Sequence, residues 1–241
     1  MEMSKAKEKR RSGAGSLPRI SLLMLTWRRR NNLRKILWTQ SCYDIVDEII
    51  VFNNYRLSTI LPLNEKTKVI NASHDFGLRS RWAMGILARN RCLVFQDDDI
   101  LVPEIGFQSL WERWREDPER LYAAYGRNPN SRNEYNFENA IGEVAMVLTR
   151  VVCVDQSVLA NMLRVEVDFY SNEEMARPVL NGEDILLSYA VTSLYQKRHS
   201  VVPLEHEELP PGPHALAIRR KKFHLQERTA LMRRCQRHFD L

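Results

Sequence analysis

Arg91-Cys92-Leu93-Val94-Phe95-Gln96-Asp97-Asp98-Asp99-Ile100 sets an apolar run directly against three carboxylates. Cys92 to Phe95 read as a buried strand, and the acids arrive where the chain must leave the sheet. Ionised carboxylates at the end of a buried strand carry a heavy desolvation cost unless something offsets it. Side chains alternate along an extended backbone, so Asp97 and Asp99 are expected on one side and Asp98 on the other. Two oxygen ligands converging in this way suit a hard divalent cation, Mn²⁺ or Mg²⁺, with a diphosphate completing the shell. A helix N-cap cluster is the plainer alternative.

On the N-terminal side, Ile20–Thr26, Glu48–Phe52 and Thr67–Ile70 read as strands, and Leu33–Gln40 and Leu78–Ala88 as helices. This alternation predicts βαβ units: an α/β protein with a mostly parallel central sheet flanked by helices. Ligands of such sheets bind off the carboxyl ends of the strands, where Thr26, Asn53 and the Asp triplet all fall. On the C-terminal side, Pro103–Arg115 is a helix whose Phe107, Leu110, Trp111 and Trp114 form a core-packing stripe. Leu121–Tyr125 is a strand. The polar loop Asn128–Asn139 carries Tyr135 and Phe137; it either contacts an acceptor or is plain surface. Val144–Val154 reads as two strands or one bent strand, Ser157–Leu163 as a short helix, and Ser200–Leu204 as the last strand. Asn181-Gly182-Glu183-Asp184 opens a helix. Its two acids either complement the helix dipole or face a reacting carbon, and spacing alone does not choose.

The chain of 241 residues carries a formal charge of +6, with 44% hydrophobic and 27% charged residues, an ordinary globular balance. No apolar run is long enough to span a bilayer. Residues 1–18 read as a disordered basic tail without a signal-peptide core, which for a native start implies a cytoplasmic protein. A chain trimmed from a longer one could instead belong to the Golgi or ER lumen. The basic blocks Arg28–Arg30 and Arg219–Lys222 can hold phosphates, nucleic acid or an anionic membrane surface, or simply be solvated. Cys42, Cys92, Cys153 and Cys235 show no C-x-x-C spacing, so neither a zinc site nor a redox motif is expected.

Several runs resemble a known family. Phe95-Gln96-Asp97-Asp98-Asp99-Ile100-Leu101-Val102-Pro103, Trp114-Arg115-Glu116-Asp117-Pro118-Glu119-Arg120-Leu121, Gly126-Arg127 and Asn181-Gly182-Glu183-Asp184-Ile185-Leu186-Leu187 are similar to the exostosin-type glycosyltransferase domain, glycosyltransferase family 64. The resemblance covers nearly the whole chain. It implies a single GT-A domain over 19–241, with a nucleotide-binding half to about 127 and an acceptor-side half from about 128. It implies Asp99 as the Mn²⁺ ligand, Asp97 and Asp98 on ribose and sugar, and Arg29, Asn53, Arg79 and Arg81 on the nucleotide, with Thr26 beside them. Arg127 lies near the sugar and Asp184 beneath the anomeric carbon, with Glu183 next to it. Arg233, in the last helix, is expected against the diphosphate. Family members commonly carry a Cys where Gly182 stands, bridged to one in the C-terminal helix; here Cys235 lacks that partner, in keeping with a reducing compartment.

The implied activity is transfer of a sugar, N-acetylhexosamine from a UDP-sugar, to a glycan or glycolipid acceptor with retention. The alternatives are a GDP-mannose donor, or a non-catalytic scaffold holding polyanions or nucleotides. Nucleic acid is not an expected partner; peripheral membrane contact through the basic segments is.

Overall fold

The computed structural model describes residues 18–171, 181–211 and 223–241. The basic tail before residue 18 and the Arg219–Lys222 block lie outside the described residues. In chain order the first elements are β1 (Ile20–Thr26), α1 (Arg30–Gln40), β2 (Val46–Asn53), β3 (Thr67–Asn71), a 3₁₀ turn (Leu78–Ser80), α2 (Arg81–Leu87) and β4 (Cys92–Asp97). There follow β5 (Ile100–Leu101), α3 (Glu104–Glu116), β6 (Tyr122–Ala123), β7 (Gly126–Arg127), β8 (Glu143–Val144), β9 (Met146–Val147) and β10 (Val151–Asp155). The last are α4 (Gln156–Ser171), α5 (Glu183–Tyr195), β11 (His199–Val201), β12 (Glu207–Glu208) and α6 (His224–Phe239).

The central sheet runs β3-β2-β1-β4-β10-β6-β11-β8. Its first four strands are parallel, joined by right-sized crossovers through α1 and α2. β10 then enters antiparallel between β4 and β6. The expected α/β architecture with a largely parallel sheet is therefore present. Small ribbons β12–β5 and β7–β9 sit beside it.

Strand alternation divides the core. Leu22 and Met24 of β1 with Cys92 and Val94 of β4 pack under α1 and α3, around Ile36, Leu37, Phe107 and Leu110. Leu23, Leu93 and Phe95 face the opposite way, onto Trp82, Leu159, Met162 and Leu187. A third cluster joins α5 to α6 through Ile185, Leu186, Tyr189, Leu231, Met232 and Cys235. Residues Glu183 to Val191 of α5 are all buried, so this helix is enclosed rather than amphipathic. None of the described helices is long and apolar enough to cross a membrane.

Several boundaries differ from the sequence reading. α4 runs on to Ser171, well past Leu163, because its buried stripe of Val158, Leu159, Met162, Glu166 and Phe169 includes a charge that breaks the apolar pattern. That charge is matched by Arg79, whose Nε lies 2.8 Å from Glu166 Oε1. The strands read at Leu121–Tyr125 and Ser200–Leu204 shorten to Tyr122–Ala123 and His199–Val201, since only these residues find ladder partners. Val144–Val154 resolves into separate short strands.

His199 is fully buried in β11, its Nε2 2.9 Å from the Ser188 carbonyl. Burial pushes its imidazole down to about 4. The unfolded chain takes up a proton near the ordinary 6.5, while the folded chain resists until about 4. Stability is thus retained above pH 6.5 and lost as the pH falls through that window. Urea denaturation at pH 7 and pH 4.5 should show this as a loss of up to about 3 kcal/mol attributable to His199. His199→Gln should lose less over the same interval; equal acid losses in both proteins would refute the assignment.

Candidate active site

The parallel register of β1 on β4, with Leu25 opposite Asp97, delivers Thr26 to the turn that follows β4. Thr26 Oγ1 donates to Asp98 Oδ2 at 2.6 Å, and the Trp27 N–H donates to the same oxygen at 3.3 Å. Arg29 Nη1 reaches Asp98 Oδ1 at 2.5 Å and Asp99 Oδ2 at 3.1 Å. Burial pushes the Asp98 carboxyl up, and Arg29 and Thr26 oppose it. Strict alternation therefore stops at Asp97. Residues 98 and 99 turn rather than extend, and Asp98 and Asp99 share one guanidinium instead of facing opposite ways.

Asp99 Oδ1 is buried and has no hydrogen-bond partner among the described residues. The nearest cation is Arg150 Nη2 at 3.8 Å, beyond hydrogen-bond reach. Arg150 instead pairs with Glu208 of β12 and contacts Tyr125, whose hydroxyl lies 2.6 Å from His206 Nε2. Residues 205–211 form a strap beside the turn. The Leu209 N–H donates to the Asp99 carbonyl at 2.8 Å, and Asn32 Nδ2 to the Pro210 carbonyl at 2.7 Å.

Among the described residues no three His, Cys, Asp or Glu side chains form a metal-binding group. The protein offers one unspent carboxylate oxygen, not a closed cage. That donor set fits a hard cation that takes its remaining oxygens from water and a substrate diphosphate.

Asp97 points to a different partner. Its Oδ1 accepts from Arg81 Nη2 at 3.2 Å, and Arg81 Nη1 donates to the Thr149 carbonyl at 3.1 Å. Burial pushes the Asp97 carboxyl up to about 7; Arg81 opposes this, while Asp99, Asp98 and Glu183 add to it. Arg81 Nε lies 3.8 Å from Glu183 Oε1, which also accepts from Thr149 Oγ1 at 3.1 Å. Glu183 opens α5 after Gly182, whose φ of 124° suits a residue without a Cβ. Its other oxygen accepts the Gly182 N–H at 3.2 Å, so it also serves the helix start.

Asp184, 6% exposed, receives Arg228 Nη2 on Oδ2 at 2.6 Å. Arg228 also donates to Asn181 Oδ1 at 3.2 Å and lies 4.3 Å over the Tyr135 ring. Burial would lower its pKa, but Asp184 outweighs burial and keeps the guanidinium charged. Acids and arginines thus alternate from Arg29 through the triplet and Arg81 to Asp184 and Arg228.

The structure brings Thr26, Arg29, Arg81, Asp97, Asp98, Asp99, Glu183 and Asp184 into this array. Arg127 Nη1 is bound to Asn139 Oδ1 at 2.7 Å, and its buried Nε has no partner among the described residues. Asn53 and Arg79 are engaged elsewhere. Asn53 Nδ2 holds the Ser58 carbonyl at 2.5 Å and Asn71 Oδ1 at 2.9 Å, while Arg79 pairs with Glu166 and lies 3.9 Å over the Tyr170 ring.

The structure does not bring Arg233 into this array. It sits on the exposed side of α6, donating to the Asn133 and Arg132 carbonyls at 3.0 and 3.3 Å. The arginine of α6 that meets Asp184 is Arg228. The helical period turns the two residues to different faces. A signal for Arg228 was present: it shares a stripe with Leu231, Met232 and Cys235, and an arginine on an apolar stripe needs a buried partner. Arg150 was missed because it immediately precedes the apolar run of β10 and reads as a turn residue.

The family model described as "Glycosyl transferase family 64 domain" matches residues 20–241. Among curated proteins, "Glucosamine inositolphosphorylceramide transferase 1" of Arabidopsis thaliana is 26% identical over 189 residues, 73% of this chain. The chain spans only 24% of that protein's length. Among solved structures, "Crystal structure of GalNAc-T7 with UDP, GalNAc and Mn2+" superposes with a TM-score of 0.57 over 81% of this chain and 44% of that one, at 10% identity. The last likeness is one of fold, and it is the GT-A fold. With the family match running unbroken from the first residue of β1 to the C-terminus, the chain belongs to glycosyl transferase family 64.

Proposed function

We propose that this domain moves a sugar, an N-acetylhexosamine from a UDP-sugar, to a glycan or glycolipid acceptor with retention of anomeric configuration and with help from a divalent cation. The observation that carries the reading is the Asp99 Oδ1 atom. It is buried, unbonded among the described residues, and flanked by Arg29 and Arg150. A carboxylate oxygen left without a donor amid arginines is costly unless a cation joins it. The amino-sugar and glycolipid parts draw support from the name of the Arabidopsis relative, and the UDP and Mn²⁺ parts from the GalNAc-T7 complex.

A cation on Asp99 supplies neutralisation of the charge that builds on the departing diphosphate. Arg29 and Arg150 hold the phosphate oxygens beside it, as guanidinium forks do. Asp97 and Asp98 accept from ribose and sugar hydroxyls, with Arg81 fixing Asp97 and Thr26 fixing Asp98. Asn53 and Arg79 act by shaping the loop after β2 and the end of α4 around the nucleotide. Arg127 meets the sugar.

The sugar–phosphate C–O bond breaks, the anomeric carbon becomes positive, and Asp184 stabilises it through space. Retention has the acceptor oxygen bond that carbon from the face the diphosphate leaves, with the acceptor proton passing to a phosphate oxygen. Arg228 is a positioning residue: it holds Asp184 in a single orientation.

Asp99→Ala should weaken Mn²⁺-dependent UDP binding in calorimetry at least about tenfold, or 1.4 kcal/mol. It should leave the fold intact, because Arg29 keeps Asp98 as its partner and the repulsion of Asp99 on Asp97 offsets the lost Arg29–Asp99 pair. Unchanged binding would overturn the metal role, and preference for GDP would move the donor to GDP-mannose. Arg228→Ala should destabilise the fold by about 3–5 kcal/mol by stranding Asp184. The double variant with Asp184→Asn should recover part of that stability in urea titrations without recovering turnover. In the product NMR spectrum, an inverted anomeric coupling would refute retention.

A further inference from the structure

From Trp27 to Tyr43 the chain carries Arg28, Arg29, Arg30, Arg34 and Lys35 and no acid, and from Asn54 to Asn64 it carries Arg56 and no acid. The fold lays the second stretch along the first. Arg28 Cζ lies 4.3 Å over the Trp27 ring and 4.6 Å over the Tyr55 ring, and those two rings meet edge-on at 5.9 Å. Arg30 Nη2 donates to the Thr59 carbonyl at 2.8 Å, and Lys66 Nζ donates to the Tyr43 carbonyl at 3.1 Å. Between these ties Ile60 turns inward, onto the cluster that holds Leu33, Ile36 and Leu37. The loop after β2 is therefore fastened along the length of α1.

Its outer side is apolar and basic at once. Leu57 and Leu61 on the loop are 69% and 77% exposed, Trp38 on α1 is 70% exposed, and Trp27 and Leu63 are exposed beside them. Arg30, Arg34 and Trp38 follow one another at helical i, i+4 spacing and share one side of α1. Two cations of the region are spent, Arg29 on Asp98 and Asp99 and Lys35 on Glu207. Arg28, Arg30, Arg34 and Arg56 pair with no carboxylate among the described residues. The bordering acids, Asp44 and Glu65, stand beyond Tyr43 and Asn64 at the far end.

Exposed leucine and indole side chains interleaved with unpaired guanidinium groups match the interface of an anionic bilayer. There the apolar groups enter between headgroups while the cations meet phosphates and carboxylates. A nucleic acid would use the arginines and leave the leucines in water. A second copy would set arginine against arginine, since a two-fold contact places the patch on itself.

We propose that the outer side of α1 and the loop after β2, through Trp38, Leu57, Leu61, Arg30, Arg34 and Arg56, form a docking surface for the anionic headgroup layer of a lipid bilayer. Trp27, at the edge of this surface, is two residues from Arg29 of the acid–arginine array, so docking brings that array to the lipid. The surface is recognised from these residues alone; its use in meeting a lipid-borne acceptor rests on the transferase reading above.

The test is cosedimentation of the full chain with vesicles of phosphatidylcholine alone and of an equimolar mixture with phosphatidylserine. The chain should pellet with the mixed vesicles and be released as salt is raised. Leu61→Ser and Arg34→Glu should each weaken this binding at least about tenfold. Arg34→Lys should retain it, and so should Ile141→Ser, because Ile141 is 82% exposed but precedes β8, at the sheet edge opposite β3. Circular dichroism melts check that each variant is folded. Equal pelleting with phosphatidylcholine alone, or no pelleting of the wild type, would overturn the docking surface. Unchanged binding in Leu61→Ser would also overturn it, since the basic stretches 1–17 and 219–222 acting alone would give that result. A dimer in sedimentation velocity that Leu61→Ser dissociates, with vesicle binding unchanged, would overturn it in favour of a second copy. Mn²⁺-dependent UDP binding, measured without vesicles, tests the transferase reading separately.

Discussion

The buried Arg81 guanidinium is the joint of this molecule. It ties Asp97 at the end of β4 to the Thr149 carbonyl before β10 and to Glu183 at the start of α5. Asp97, Asp98, Asp99 and Glu183 would otherwise confront one another in a poorly hydrated space. A buried ion network contributes little to net stability compared with apolar packing, yet removal of a deeply buried member such as Arg81 is severe. The arrangement is therefore better understood as fixing positions than as adding stability. Asp98 shows the same logic: Thr26, Trp27 and Arg29, all from the end of β1, converge on it and lock two neighbouring strand ends together.

The array also explains why the acids are tolerated at all. Asp97, Asp98, Asp99, Glu183 and Asp184 each have an arginine within a short distance, and of these five Asp99 alone keeps a buried oxygen without a donor among the described residues. The core beneath is apolar on both faces of the sheet, and the acid–arginine array sits at its carboxyl edge. This is where strand-end loops of a parallel sheet gather and where the first strands deliver Thr26, Asn53 and the triplet.

Much of this was legible in the residues. The apolar run before Asp97 and the alternation of short strands with helices gave the parallel half of the sheet, because those strands are buried on both sides and read as continuous apolar blocks. The triplet could be named because charge beside such a block demands a reason, whereas Arg29, Arg81 and Asp184 were named only through the family resemblance. What stayed hidden depended on three-dimensional matching. The turn at Asp98 defeats strand alternation, and Glu166 disguises the second half of α4. The partner of Asp184 is chosen by helical phase, which separates Arg228 from Arg233 although both belong to one basic segment. Arg150 becomes visible only when β10 is placed antiparallel against β4.

α5, buried on every side from Glu183 to Val191, carries the consequence furthest from the chemistry. A helix at the surface can fray and re-form while the rest of a protein persists, but one walled in by α4, α6 and β9 shares the cooperative unit of the core. The Asp184 carboxylate is consequently carried by a helix that opens only with the core. Heat would remove its orientation only when the whole domain melts, so the Asp184–Arg228 pair and native structure should disappear together instead of in two stages.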